Sequence, residues 1–105
     1  MEQELPKFLQ KVVKRYPQIW EKYGDLKEEV ASIGALDTRT QALVKLAIAI
    51  GVGREGAVHS HTRKCLKEGI SPDELFQTAL SAITTIGWSG GIRALSWIND
   101  EVDEL

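Results

Sequence analysis

Arg54, Glu55, His59 and His61 stand close together in the run Gly53-Arg54-Glu55-Gly56-Ala57-Val58-His59-Ser60-His61, which holds both histidines of the chain. An arginine can clamp an anion with paired N–H donors, and a glutamate and two imidazoles can transfer protons near neutral pH. The chemistry these types suggest is the holding of a small anionic molecule beside a proton donor. No other stretch of the sequence concentrates such groups.

The run opens a helix read from Glu55 to Glu68. A step of about 100° per residue puts Arg54, Ala57, Val58, His61 and Cys65 on one side. His59 points nearly the opposite way, with Glu55, Thr62, Arg63 and Leu66. Two histidines at i, i+2 cannot grip one ion from this helix, because helical chelation uses i, i+3 or i, i+4. Distant acids would have to complete any metal site, and neither a metal nor a cofactor is expected. Each residue also has a purely structural alternative. His61 can be a hydrogen-bonded core imidazole, Arg54 and Glu55 can cap and salt-link a helix start, and His59 can sit on a helix face or interface with Glu55 fixing its ring. Cys65, one turn beyond His61, reads as a buried thiol or as a lone thiol activated by that imidazole.

The surrounding elements are helical throughout. Leu5, Phe8, Leu9, Val12, Val13 and Tyr16 form one face of a first helix, with Lys7, Lys11 and Lys14 opposite. Pro17 restarts the chain at a favoured first-turn position. Ile19, Trp20, Tyr23, Leu26 and Val30 continue as a second apolar face, for which Gly24 predicts a break or kink. Ser32-Ile33-Gly34-Ala35 is a connection, and Asp37 caps a third helix. From Ala42 to Ile50 only Lys45 is polar, so that helix needs cover on all sides, and a second subunit is the natural source. Gly51 and Gly53 end it, and Gly69 closes the next helix.

Ser71-Pro72-Asp73-Glu74 has the make-up of a capping box and starts a helix through Leu75, Phe76, Ala79, Leu80, Ile83 and Ile86. Gly87-Trp88-Ser89-Gly90-Gly91 predicts a break before a last helix carrying Ile92, Leu95, Trp97, Ile98 and Val102. Trp88 and Trp97 are large enough to wall a pocket or fill a subunit contact. The expected architecture is all-α, five or six helices, one domain over residues 1–105.

Composition sets bounds on partners. Thirteen basic and fifteen acidic side chains leave a net charge of −2, too balanced for nucleic acid as the main partner. Asp100, Glu101, Asp103 and Glu104 near the end, and Lys7, Lys11, Lys14 and Arg15 near the start, read as solvated helix faces. No apolar run reaches the roughly 20 residues that span a bilayer, and Met1-Glu2-Gln3-Glu4 is acidic where a secretory signal is basic. A cytoplasmic protein without membrane partners is expected, and the single cysteine fits a reducing compartment.

Leu36-Asp37-Thr38-Arg39-Thr40, the apolar helix to Ile50, Gly53-Arg54-Glu55, His61 eight residues before Gly69, and Ser71-Pro72-Asp73-Glu74-Leu75 together resemble the carboxymuconolactone decarboxylase and alkylhydroperoxidase-D-like family. The likeness runs from Pro17 to Ile98. It implies an all-α subunit that assembles as trimers or hexamers with sites near subunit contacts. Hydroperoxidase members carry Cys-x-x-Cys ahead of the histidine and a glutamate one helix earlier, and those positions fall here on Arg54, Ala57 and Ala42. Of that constellation only His61 remains, so the thiol mechanism lacks its nucleophile.

The decarboxylase branch resembles this chain in its Gly-Arg-x-x stretch followed by the histidine. The resemblance therefore implies a cofactor-free lyase acting on a small anionic lactone carboxylate, with His61 catalytic and Arg54, Glu55, His59 and Trp88 around the substrate. The alternatives are a noncatalytic oligomeric ligand-binding member and an antioxidant with peroxiredoxin activity through Cys65.

Overall fold

A computed structural model describes residues 5–105, and the acidic start Met1–Glu4 lies outside the described residues. The described chain forms six α-helices and no strand, in agreement with the all-α expectation. Its contacts divide it into two compact units, one ending at Ala35 and the other running from Leu36 to Leu105.

The first unit is a pair of helices, α1 (Lys7–Arg15) and α2 (Pro17–Ala31), that turn at Tyr16 because Pro17 has no N–H to continue the first helix and presets the φ of the second. Gly24 does not interrupt α2. A single glycine lowers helix stability by about 1 kcal/mol, which the remaining turns carry easily. No residue of either helix is buried. Phe8, Ile19, Leu26 and Val30 are exposed, while Leu9, Val12, Val13 and Trp20 are half-buried.

The second unit holds the core. Asp37 accepts from Thr40 N–H at 2.7 Å and starts α3 (Thr38–Val52). Gly53, at φ +79°, ends it in the left-handed region that glycine enters without strain, and its N–H bonds to the carbonyls of Ala49 and Ile50. Arg54 then serves both neighbours through its backbone. Its N–H donates to Ala49 O at 3.4 Å and its carbonyl accepts from Val58 N–H at 3.0 Å, opening α4 (Glu55–Lys67). Gly69 closes α4 with paired returns, Ile70 N–H to Cys65 O and Gly69 N–H to Leu66 O, which take up two carbonyls left over at the helix end.

Ser71 and Glu74 satisfy each other's backbone N–H groups at the start of α5 (Pro72–Ile86). The last helix, α6 (Trp88–Val102), begins directly after Gly87, so the glycines at 90 and 91 lie inside it and the predicted break shrinks to a single residue. Gly91 is buried against α5, and a Cβ placed there would stand 2.3 Å from Ile83 Cγ1 and 2.9 Å from Ile83 N. Glycine is present at this position to let two helices approach, and a turn is not its purpose.

Leu46, Val58, Cys65, Ile70, Leu75, Ala79, Ala94 and Ile98 form the centre of the core. Thr62, read on the outward side of α4, is buried as well, and its hydroxyl donates to Val58 O at 2.7 Å, which satisfies that buried group. On α3 the side carrying Ala42, Leu46, Ala49 and Ile50 is covered, whereas Val44, Ile48 and Val52 remain exposed.

Candidate functional site

Along α3, Thr38, Gln41 and Lys45 follow one another at steps of three and four residues, a single polar stripe beside the buried Ala42. Along α4, His61, Lys64 and Glu68 repeat the same steps, with Lys67 next to them. The two helices turn back on each other through Gly53 and Arg54, so these stripes face across one open hollow of about 250 Å³ lined by Thr38, Gln41, Ala42, Lys45, His61, Lys64, Lys67 and Glu68. Three ammonium groups against one carboxylate make the lining cationic, and the imidazole of His61 is half-buried in its wall with Nδ1 shielded from solvent.

The hollow includes His61 and omits Arg54, Glu55, His59 and Trp88. Arg54 shares the angular position of His61 on α4, but seven residues of helix separate them by roughly 10 Å along the axis. Arg54 is exposed at the opposite end of the helix pair. The cationic groups beside His61 are instead Lys45, Lys64 and Lys67. Their signal in the sequence is the two polar stripes, each spaced for one helical face but dispersed along the chain where the run from Gly53 to His61 is contiguous. Ala42, where the hydroperoxidase glutamate would fall, does line the hollow with His61, whereas the cysteine positions Arg54 and Ala57 do not. Trp88 is exposed at the start of α6.

Glu55 and His59 belong to a different place, the seam between α4 and α6. His59 Nδ1 lies 2.8 Å from Glu101 Oε2, and its Nε2 lies 3.3 Å from Glu55 Oε2 and 3.6 Å from Asp100 Oδ2. Arg63 donates to the same Glu101 oxygen at 3.1 Å. Glu101, read as part of a solvated acidic face, has a side chain only 19% exposed and is engaged by both partners. Glu55, His59 and Asp100 bring three possible ligand atoms within 4.8 Å of one another.

Cys65 is fully buried, and that burial pushes its thiol up to about 11, with Glu68 adding to the shift and Arg39 opposing it. A thiol held this way is protonated at neutral pH and is a poor nucleophile. A second hollow, of about 300 Å³, lies between α3 and α5 and is lined by Ala47, Ile50, Gly51, Thr78, Ser81, Ala82, Thr85 and Ile86. It contains no titratable side chain. Among the described residues no helix is long and apolar enough to cross a membrane.

Comparison with known proteins places this geometry in context. The model of the carboxymuconolactone decarboxylase family matches residues 17–100. A 4-carboxymuconolactone decarboxylase of Acinetobacter baylyi is 36% identical over 77 residues, 73% of this chain and 58% of that protein. An uncharacterized protein of Methanocaldococcus jannaschii is also 36% identical, over 64 residues that make up 61% of this chain and 60% of its own. The chain thus spans about three fifths of the length of the curated relatives it matches.

Proposed function

Since the chain belongs to the carboxymuconolactone decarboxylase family, we propose that the hollow between α3 and α4 is the active site of a lyase that decarboxylates a small carboxylated substrate without a cofactor. The observation that carries the reading is the placement of His61 in a cationic hollow. Decarboxylation breaks a carbon–carbon bond, releases carbon dioxide and leaves the electron pair on the substrate as an enolate conjugated to its lactone carbonyl. A proton must then reach a carbon of that conjugated enolate. Lys45, Lys64 and Lys67 supply positive charge that holds the incoming anion and stabilises the enolate, and His61 delivers the proton. In this scheme the lysines take the anion-holding role that the sequence suggested for Arg54.

The family match starts within the first unit and continues through the second to residue 100, which supports one domain over residues 1–105. The wider assignment is a cytoplasmic protein that self-associates as a trimer or hexamer, and the exposed apolar stripe of α3 supports the association. The antioxidant alternative draws no support from Cys65, whose sulfur is enclosed and protonated.

Carbon dioxide release from 4-carboxymuconolactone tests the assignment. Replacing His61 by Asn should lower the rate by about 10²-fold or more, the usual contribution of a positioned general acid. Replacing all three lysines by Gln should raise KM and lower kcat, because the same charge holds the anion and stabilises the enolate. A rate unchanged in His61→Asn overturns the role of the histidine. Binding of the lactone without turnover would assign the chain to the noncatalytic ligand-binding members.

A further inference from the structure

At the seam around His59, its Nε2 and one carboxylate oxygen each of Glu55 and Asp100 lie within 4.8 Å of one another. We propose that Glu55, His59 and Asp100 bind a divalent transition-metal ion of the zinc class, tying α4 to α6 at a place separate from the His61 hollow. Glu55 and His59 stand at i, i+4 on α4, the spacing at which one helix face presents two ligands to one ion. Asp100 comes from α6 and supplies the third. It is one of the distant acids that the sequence alone could not assign to either histidine.

The two nitrogens of His59 divide the work. Nδ1 and Glu101 Oε2, at 2.8 Å, are at the separation of a charge-assisted hydrogen bond, about 2.7–2.9 Å. Glu101 is in turn held by Arg63, and the tautomer with its proton on Nδ1 turns the lone pair of Nε2 toward Glu55 and Asp100. A carboxylate that orients a histidine for an ion on its other nitrogen is the usual support of a metal-bound imidazole. The separations on the Nε2 side, 3.3 and 3.6 Å, are long for ionic hydrogen bonds. They are close to the distance of about 3.3–3.4 Å between ligands of a tetrahedral ion with bonds of about 2.0–2.1 Å.

Charge favours the same occupant. Three carboxylates surround this imidazole, and two of them, Glu55 and Asp100, present negative charge to Nε2. One imidazole nitrogen with two carboxylate oxygens suits zinc, cobalt or manganese better than magnesium or calcium, which prefer all-oxygen sites. Both acidic side chains are more than half exposed, so small rotamer changes can complete the coordination and water can fill the remaining position.

Titration of metal-free protein with zinc chloride by calorimetry should give one ion per chain, and cobalt should give the visible absorption of a low-symmetry site. Zinc should also raise the melting temperature. Glu55→Gln and Asp100→Asn, both at exposed positions that leave the core intact, should each abolish the cobalt band and the thermal shift. Glu101→Gln should weaken zinc by about 10–100-fold as a positioning residue, and His61→Asn should leave binding unchanged. No binding by the wild type overturns the proposal, as does zinc affinity that survives both Glu55→Gln and Asp100→Asn or is lost in His61→Asn. The absence of binding, or its survival in both variants, would leave the decarboxylase assignment untouched, because that is read from carbon dioxide release at the other site.

Discussion

Glu74 joins two parts of the second unit through one carboxylate. It accepts from the Ser71 backbone and hydroxyl and pairs with Arg39, which lies in the first turn of α3. The Arg39 guanidinium, followed by the Ser71 donors, lowers its carboxyl to about 2 from an ordinary 4.5. The unfolded chain takes up its proton near the ordinary value and the folded chain only near the lowered one. The stabilisation is therefore complete above about pH 4.5 and fades as pH falls toward 2. Glu74→Gln should melt below the wild type at pH 7, and the gap between the two should close across that acid window. Thermal melts at half-unit pH intervals check it, and a gap constant from pH 7 to pH 2 would rule out the pair as its source. The capping box itself was plain in the sequence, because Ser-Pro-Asp-Glu states its own local geometry. The Arg39 partner was not, since nothing in one chain's sequence says which residues 35 positions apart will meet.

At the scale of the helix, glycines divide into those that turn the chain and those that let another helix near. Gly53 and Gly69 are of the first kind, and both are legible, Gly53 because it ends the apolar run of α3 and Gly69 because it stands just before the Ser71-Pro72-Asp73-Glu74 helix start. Gly91 is of the second kind, although its glycine-rich surroundings predict a break, for close approach depends on what lies across the gap. Gly91→Ala should destabilise the protein by about 1–3 kcal/mol, the usual cost of overpacking, since the new methyl meets both the side chain and the backbone of Ile83. Gly24→Ala in α2 is the contrasting case. No atom lies within 4 Å of a Cβ built there, so the variant should gain about 0.5–1 kcal/mol from helix propensity. Urea denaturation of the two variants tests the distinction, and equal effects of the same sign would refute it. The same limit applies to the site. Angular position on a helix can be counted from sequence, which put His61 correctly on the inner side of α4. Residues that share an angle can still differ in rise along the axis, and it is rise that parts Arg54 from His61.

For the whole molecule the decisive feature is apolar surface left uncovered. The second unit buries one side of α3 and leaves Val44, Ile48 and Val52, spaced at four residues, exposed in a single stripe, with Ile48 at 60%. Full burial of an Ile or Val side chain is worth about 1.5–3 kcal/mol, so three such residues facing water are a large unrealised gain in a chain of this size. Ala47 and Gly51 beside the stripe are small, and the apolar hollow they share with Ile50, Ala82 and Ile86 offers a socket for side chains of another copy. A closed assembly of identical subunits covers such a stripe on every copy at once, which an open chain of contacts does not. Sedimentation velocity at micromolar concentration should therefore show a trimer or larger species. Ile48→Glu would place a charge in the contact without touching the core that Leu46 and Ile50 form on the other side of the helix, and it should shift the population to a folded monomer with unchanged helix content. A wild type that sediments as a monomer, or an Ile48→Glu variant that assembles as before, would show that α3 meets solvent on that side.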